Sequence, residues 1–284
     1  PIDTFDVDIV EQFNTSLLDI CAARNNNVQL TEETKANKKG FYDDIKNLLP
    51  LDLAEQVEWK TNDGGRIKVR DLIALSWIPL SILELPSNIK INPVQIYRSK
   101  AACTSAFNKL MSDDGITSGV DGAYSRRLHD ERVRSAFKIL STLPRLFDQL
   151  YQQIPEAYNK SGGQFGRISA VKMFDSTKRL DKNPKYLKSQ PTTPFYKTPV
   201  NYTCPEGFLV PLIYGLRALL ALKDNRIIWT TDPSNFITNN LHEVMKSYKL
   251  AIEMAHWDPQ KVGKNLSTYD FAESSIQAQL IRSK

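Results

Sequence analysis

Residues 21–46, with the sequence CAARNNNVQLTEETKANKKGFYDDIK, contain the local signals that set the fold of this chain. They indicate the end of one amphipathic helix, a polar connection with three consecutive asparagines, and the start of a second helix. Thr31 is a favourable N-cap, and acidic residues follow in the first turn, where the helix dipole favours negative charge. We expect this second helix to extend from Thr31 to about Leu49, where Pro50 ends it.

Apolar residues recur at helical spacing along most of the chain. This periodicity predicts helices near residues 7–24, 71–85, 93–112, 126–158, 208–222 and 232–257, and a final helical segment that begins at Asp258. Pro144 should bend or divide the helix near 126–158. The sequence therefore predicts a mainly α-helical, multi-helix fold.

Two short regions depart from the helical pattern. A glycine-containing turn between two β-type segments predicts a small β-hairpin near residues 56–70. The prolines near residues 183–204 disfavour helix and predict irregular or extended structure. Because residues 113–122 are rich in glycine and aspartate, we expect either two helical lobes, 1–112 with the hairpin and 123–284, or one continuous domain.

The composition is that of an ordinary globular protein, with 41% hydrophobic and 24% charged residues among 284. No apolar run reaches the roughly 20 residues that a membrane-spanning helix needs, so we expect no membrane association. The three cysteines are widely separated, which is typical of reduced thiols in a cytoplasmic protein. A net charge of +5 permits nucleic acid as a partner without requiring it.

One group of residues imitates a nuclease motif. Asp52, Glu58 and Lys60 follow the Asp…Glu-x-Lys order of restriction-type nucleases, in which carboxylates hold Mg²⁺ and the lysine polarises the attacking water. The short gap between Asp52 and Glu58 can hardly place them on paired strands. We therefore favour solvated charges at a helix-to-hairpin junction and expect no cofactor, with Mg²⁺ required only under the nuclease alternative.

Other candidate chemistry is weaker still. The three histidines, His129, His242 and His256, are not spaced as zinc ligands. Gly162–Gly166 does not match a dinucleotide-binding fingerprint, because its spacing is wrong and no predicted strand leads into it. We expect this glycine-rich stretch to be a connector.

Basic residues with neighbouring aromatics predict a possible contact with nucleic acid, since lysine and arginine neutralise phosphates and aromatic rings stack on unpaired bases. The candidate residues are Lys178, Arg179, Lys182, Lys185 and Tyr186 in the proline-rich segment, with Arg126 and Arg127 on a predicted helix. The alternative is that both clusters are solvated charged surfaces. Arg24, Asn25 and Asn26 form a further candidate, a polar pocket, but we favour a helix C-cap whose side chains satisfy local backbone groups.

Several segments resemble the abortive-infection phage-resistance (AIPR) family of bacterial defence proteins. The resemblance begins in residues 21–46 and continues in RIKVRDLIAL (66–75) and DPQKVGKNLSTY (258–269). Tyr97–Lys100 and Gly207–Pro211 lie between these segments in the order that the family shows. The upstream Asp-Gly-Gly-His-Thr-like motif of the family does not occur in this sequence, so we expect a C-terminal portion or a reduced relative.

The resemblance implies a role in anti-phage defence. With the failure of the catalytic motifs, it leads us to expect a non-catalytic helical module that binds a protein partner or nucleic acid. A protein partner could be the N-terminal region that this chain lacks. The alternative is a metal-dependent nuclease that acts on phage or host nucleic acid.

Overall fold

Helices dominate the computed structural model, which describes residues 31–60, 64–85, 89–112, 131–177 and 185–282. The first half contains α1 (Glu32–Lys38), α2 (Asp43–Leu48), α3 (Leu51–Ala54), β1 (Val57–Glu58), β2 (Ile67–Lys68), α4 (Val69–Leu80), α5 (Pro93–Arg98) and α6 (Lys100–Met111). The predicted mainly α-helical, multi-helix fold is confirmed. The predicted helix near residues 7–24 lies outside the described residues.

The second half begins with α7 (Glu131–Leu140), α8 (Leu143–Lys160), a 3₁₀ turn (Phe165–Arg167), β3 (Lys172–Met173) and β4 (Tyr202–Thr203). It continues with α9 (Glu206–Gly215), a 3₁₀ segment (Leu216–Leu219), β5 (Leu220–Lys223), β6 (Arg226–Trp229), α10 (Pro233–Met254), α11 (Pro259–Gly263) and α12 (Leu266–Arg282). Pro144 lies in the first turn of α8, where it separates α7 from α8 as predicted. Residues 185–204 form turns, isolated bridges and β4, which agrees with the extended or irregular structure expected there.

The helix predicted from Thr31 to Leu49 is wrong in its length, because the chain breaks it after α1. The Thr31 cap is confirmed, since its hydroxyl accepts a hydrogen bond from the Thr34 amide at 3.3 Å. Gly40 takes a φ of 74°, the left-handed conformation that glycine adopts most easily. Hydrogen bonds from Gly40 to Asn37 and from Phe41 to Ala36, each 3.0 Å, complete a Schellman motif.

The strand pair lies where the sequence predicts a hairpin, but its two strands run parallel. Val57 pairs with Ile67 and Glu58 with Lys68. The strand backbones approach closely at Gly65, where a Cβ atom would lie 2.2 Å from the Glu58 amide nitrogen. A side chain at this position would therefore separate the two segments.

Other helix boundaries also differ from the predicted ones, and the helix expected over 71–85 ends at Leu80. The segment near 93–112 divides at Ser99, whose non-helical backbone ends α5 and whose side chain caps α6. The segment near 208–222 ends early, and Leu220–Trp229 forms the antiparallel hairpin β5–β6 instead. Asp224 and Asn225 have φ angles of 49° and 59°, which is the backbone that a two-residue hairpin turn requires.

A buried carboxylate holds the proline-rich segment against α8. Asp148 is 5% exposed and accepts hydrogen bonds from the amides of Phe195 (3.0 Å) and Tyr196 (2.6 Å). Thr193 and Thr198 close the same loop through a backbone hydrogen bond of 2.9 Å. Because burial disfavours its charged form, the pKa of Asp148 is raised even though these donors and Lys197 oppose the shift.

The core is continuous across the described parts of the chain. The longest helices pack in pairs, α8 against α10, α9 against α12, and α4 against α6 and α7. Phe107 on α6 contacts Phe137 on α7 at a ring-centroid distance of 6.0 Å. Buried side chains on both sides of residues 113–130 therefore belong to one cluster. None of the helices that the structure describes has the length and apolar character needed to cross a membrane.

Candidate functional site

Lys100 joins three helices at the junction of the two halves of the chain. Its Nζ atom, at the start of α6, lies 3.0 Å from Asp71 Oδ1 on α4 and 3.0 Å from Glu206 Oε2 on α9. Burial opposes the charge on Lys100, but the two carboxylates outweigh burial and raise its pKa. The lysine is therefore held in its charged form by carboxylates that are distant in the sequence.

Two glycines bring the backbone close together beside this lysine. A Cβ atom on Gly207 would lie 2.0 Å from the carbonyl oxygen of Pro259, and one on Gly263 would lie 2.5 Å from the ring of Tyr97. Burial and the carboxylates of Glu206 and Asp258 raise the pKa of Tyr97. Close packing at this point thus depends on positions that have no side chain.

Four segments that are distant from one another in the sequence meet at this junction. They are Arg66–Leu75, Tyr97–Lys100, Gly207–Pro211 and Asp258–Tyr269. The cavity beside the ion pairs has a volume of about 60 Å³, which leaves room for only a few water molecules. The junction therefore joins helices, and it offers little space for a ligand.

The structure separates Asp52 from the other two nuclease candidates, Glu58 and Lys60. Glu58 and Lys60 line one cleft of about 190 Å³, where Glu58 forms an ion pair with Lys68. Asp52 lies on α3 and does not line this cleft. It lies instead near Tyr196, whose pKa is raised mainly by burial and further by the Asp52 charge.

The donor set of a two-carboxylate Mg²⁺ site is therefore not assembled by Asp52 and Glu58. Across residues 31–282, apart from the gaps in the described ranges, no group of three or more His, Cys, Asp or Glu side chains is placed to hold a metal ion. The Glu58 carboxylate also forms an ion pair with Lys68, which a metal ion would have to compete with.

Most residues predicted to bind nucleic acid or form a polar pocket fall outside the described ranges. These are Lys178, Arg179, Lys182, Arg126, Arg127, Arg24, Asn25 and Asn26. Lys185 and Tyr186 are described, and both are half-buried. The basic segment can therefore be examined only at its C-terminal end.

Lys185 and Tyr186 belong to a small three-stranded ladder. The Met173 amide donates to the Lys185 carbonyl at 2.9 Å, and the Leu187 amide donates to the Met173 carbonyl at 2.8 Å. On its other side, β3 pairs with β4, where Met173 lies opposite Tyr202. Residues 185–187 thus form an edge of this ladder, beside β3.

The register of the ladder places Lys185 and Tyr186 on opposite faces. Met173 pairs with both Tyr186 and Tyr202, so these three side chains share one face. That face packs on α8, because the Tyr202 ring stacks on Tyr151 at 5.9 Å and its hydroxyl donates to the Tyr151 carbonyl at 2.9 Å. Tyr186 therefore does not share a face with the neighbouring lysine.

The opposite face carries the basic side chains. Alternation along the strands places Lys172, Phe174, Lys185 and Leu187 on it, and we name these four residues the basic strand face. Extending the parallel register of the single Met173–Tyr186 bridge by one residue in each direction puts Lys172 beside Lys185 and Phe174 beside Leu187. The alternation of lysine, methionine and phenylalanine at 172–174 is the sequence signal for this face, but its pairing partner cannot be identified from sequence.

Comparison with protein-family models, curated proteins and solved structures finds no significant match to this chain.

Proposed function

We propose that this chain is a non-catalytic helical module of a cytoplasmic bacterial anti-phage (abortive-infection) defence protein, and that it binds nucleic acid through the basic strand face. The resemblance of five separated segments to the AIPR family supports the defence role. The observation that supports nucleic-acid binding is the placement of Lys172 and Lys185 side by side, next to Phe174, on one face of the ladder.

This arrangement has the parts that a sequence-tolerant nucleic-acid surface needs. Two adjacent ammonium groups can contact successive phosphates, and this contact makes affinity fall as salt concentration rises. Phe174 can stack on an unpaired base, a contact worth about 1–3 kcal/mol in single-strand-binding proteins. Asp175 follows in the same segment, and its carboxylate accepts hydrogen bonds from the amide (2.9 Å) and hydroxyl (2.6 Å) of Thr177.

The test is binding of a fluorescent single-stranded oligonucleotide, measured by anisotropy at low and at near-physiological salt. The variant Lys172→Glu/Lys185→Glu should lose most of the affinity and most of the salt dependence. The control Lys109→Glu/Lys138→Glu changes the net charge equally at exposed helical positions away from the ladder, and it should bind nearly as well as the parent chain.

Equal loss in both double variants would show that net charge alone drives binding and would contradict the assigned surface. Absence of binding by the parent chain at low salt would remove nucleic acid from the proposal. A protein partner would then be the ligand of the module, to be sought by co-purification.

The nuclease alternative has one observation in its favour, since Glu58 and Lys60 line the same cleft. It is tested by incubating the chain with plasmid DNA and with RNA in the presence of Mg²⁺ or Mn²⁺. We expect no cleavage. Cleavage that persists in Asp52→Ala but disappears in Glu58→Ala would overturn the non-catalytic assignment.

A further inference from the structure

A cleft of about 510 Å³ lies between the C-terminal end of α10 and the glycine turn that follows α8. Tyr158, Gln164, Arg167 and Trp257 are among its lining residues. It is distinct from the nuclease-like cleft and from the Lys100 junction, with which it shares no lining residue. The glycine turn is expected from its sequence to be a connector, and no motif in the sequence marks this tryptophan.

The backbone beneath Trp257 has an unusual conformation for its residue types. His256 and Trp257 have φ angles of 53° and 55°, so two consecutive residues with large side chains adopt the left-handed region. The amides of these residues donate to Glu253 (2.8 Å) and Ile252 (2.9 Å), which ends α10. Glycine would make this turn without steric cost, yet the chain places an indole here.

The indole is held in one orientation while much of it stays accessible. Its Nε1 atom donates to the Tyr158 hydroxyl at 2.9 Å, and the residue is 42% exposed. Tyr158 is itself fixed, because its ring lies edge-on against Phe165 at 6.0 Å and directly over Gly163, where a Cβ atom would lie 2.2 Å from the ring. The cleft therefore presents a preformed aromatic surface that requires little ordering upon binding.

We propose that Trp257 stacks on an unpaired base of single-stranded DNA or RNA. Indole is a large π-surface that accepts any base, and the cleft supplies the Gln164 amide for a base edge and the exposed Arg167 guanidinium for a phosphate. Glu253 also lines the cleft, and its charge is offset by Lys249 at 3.6 Å. These groups favour a neutral planar ring carried on an anionic backbone.

This inference rests on the proposed nucleic-acid function. The Trp257 cleft and the ladder that carries the basic strand face are connected through packed side chains. Phe165, which supports Tyr158, also contacts Tyr202 of β4 with its ring centroid at 5.8 Å. Tyr202 in turn pairs with Met173 in the ladder that carries the basic strand face. The Trp257 cleft and the ladder that carries the basic strand face are therefore held together by the same packed aromatic side chains.

The experiment compares Trp257→Ala, Trp257→Phe and the control Met254→Ala in anisotropy titrations with single-stranded DNA and RNA oligonucleotides. Met254 is 82% exposed and lies one turn before Trp257, so it controls for loss of exposed apolar area at the end of α10. Trp257→Ala should weaken binding about tenfold to a hundredfold, whereas Trp257→Phe and Met254→Ala should retain most of the affinity. Circular dichroism and thermal melting establish that each variant remains folded.

An oligonucleotide with abasic sites separates base stacking from phosphate contact. The parent chain should bind it as weakly as Trp257→Ala binds the normal oligonucleotide. Combining the abasic oligonucleotide with Trp257→Ala should reduce affinity no more than either change alone.

Failure of this inference differs from failure of the proposed function. If the parent chain binds and Lys172→Glu/Lys185→Glu does not, equal affinity of Trp257→Ala and the parent overturns only the stacking site. If the parent chain does not bind, both are overturned.

Discussion

Lys100 and Glu206 lie 106 positions apart in the sequence and form an ion pair of 3.0 Å between α6 and α9. Asp71 shares the same ammonium group at 3.0 Å, so one lysine neutralises two carboxylates from different helices. We therefore expect Lys100→Met to destabilise the fold by about 1–3 kcal/mol, since the partly exposed carboxylates would repel one another. Urea denaturation measures this loss of the free energy of unfolding. Lys100→Met/Asp71→Asn/Glu206→Gln should recover most of it, and a triple variant as unstable as Lys100→Met would contradict the electrostatic explanation.

The substitution Gly207→Ala adds only one methyl group, but it should lower the stability of the protein markedly. The added methyl group would lie 2.0 Å from the Pro259 carbonyl oxygen, so α9 and α11 must separate. The expected cost is about 1–3 kcal/mol or more, as for overpacked cores. Gly166→Ala is the matched control, because a Cβ atom there contacts nothing within 4 Å. Equal thermal stability of the two variants would show that the close approach at Gly207 is unimportant.

The buried carboxyl of Asp148 should make the protein less stable as pH rises, which is the opposite of what a salt-bridged carboxylate does. Burial raises its pKa in the folded protein above the ordinary 3.8, so the folded state binds the proton at a pH where the unfolded state has released it. Its contribution to the free energy of unfolding should therefore fall as pH rises through that window. Urea denaturation of the parent chain and Asp148→Asn from about pH 4 to about pH 7 tests this sign. A stability difference that grows in favour of the parent chain as pH rises would contradict it.

The left-handed end of α10 predicts a stabilising substitution. His256→Gly should raise the free energy of unfolding by about 0.5–1 kcal/mol, because glycine adopts a φ of 53° without the steric cost that histidine has. His242→Gly makes the same exchange inside α10 and should destabilise by about 1 kcal/mol. Thermal melting of both variants should show shifts of opposite sign. A loss of stability in both would indicate that the His256 side chain has contacts that outweigh its backbone strain.

The sequence by itself determined the features that depend on neighbours within one or two helical turns. The Thr31 cap and the division at Pro144 follow from local hydrogen bonding and sterics, so they could be predicted correctly. The break at Gly40 carried the same kind of signal, but the strong helical periodicity on both sides concealed it. The Asp224–Asn225 turn was likewise present in the sequence and was hidden by the apolar run before it.

Tertiary structure alone decided which distant residues meet. The pairing of Lys100 with Asp71 and Glu206 depends on how three helices pack, and no spacing in the sequence encodes that packing. The separation of Lys185 from Tyr186 depends on the register of residues 185–187 against β3, because a shift of one residue would exchange the faces. The orientation of Trp257 likewise requires Tyr158, which lies 99 positions away. Local interactions thus fix the helices, whereas long-range packing and strand register assemble the surfaces to which function is assigned.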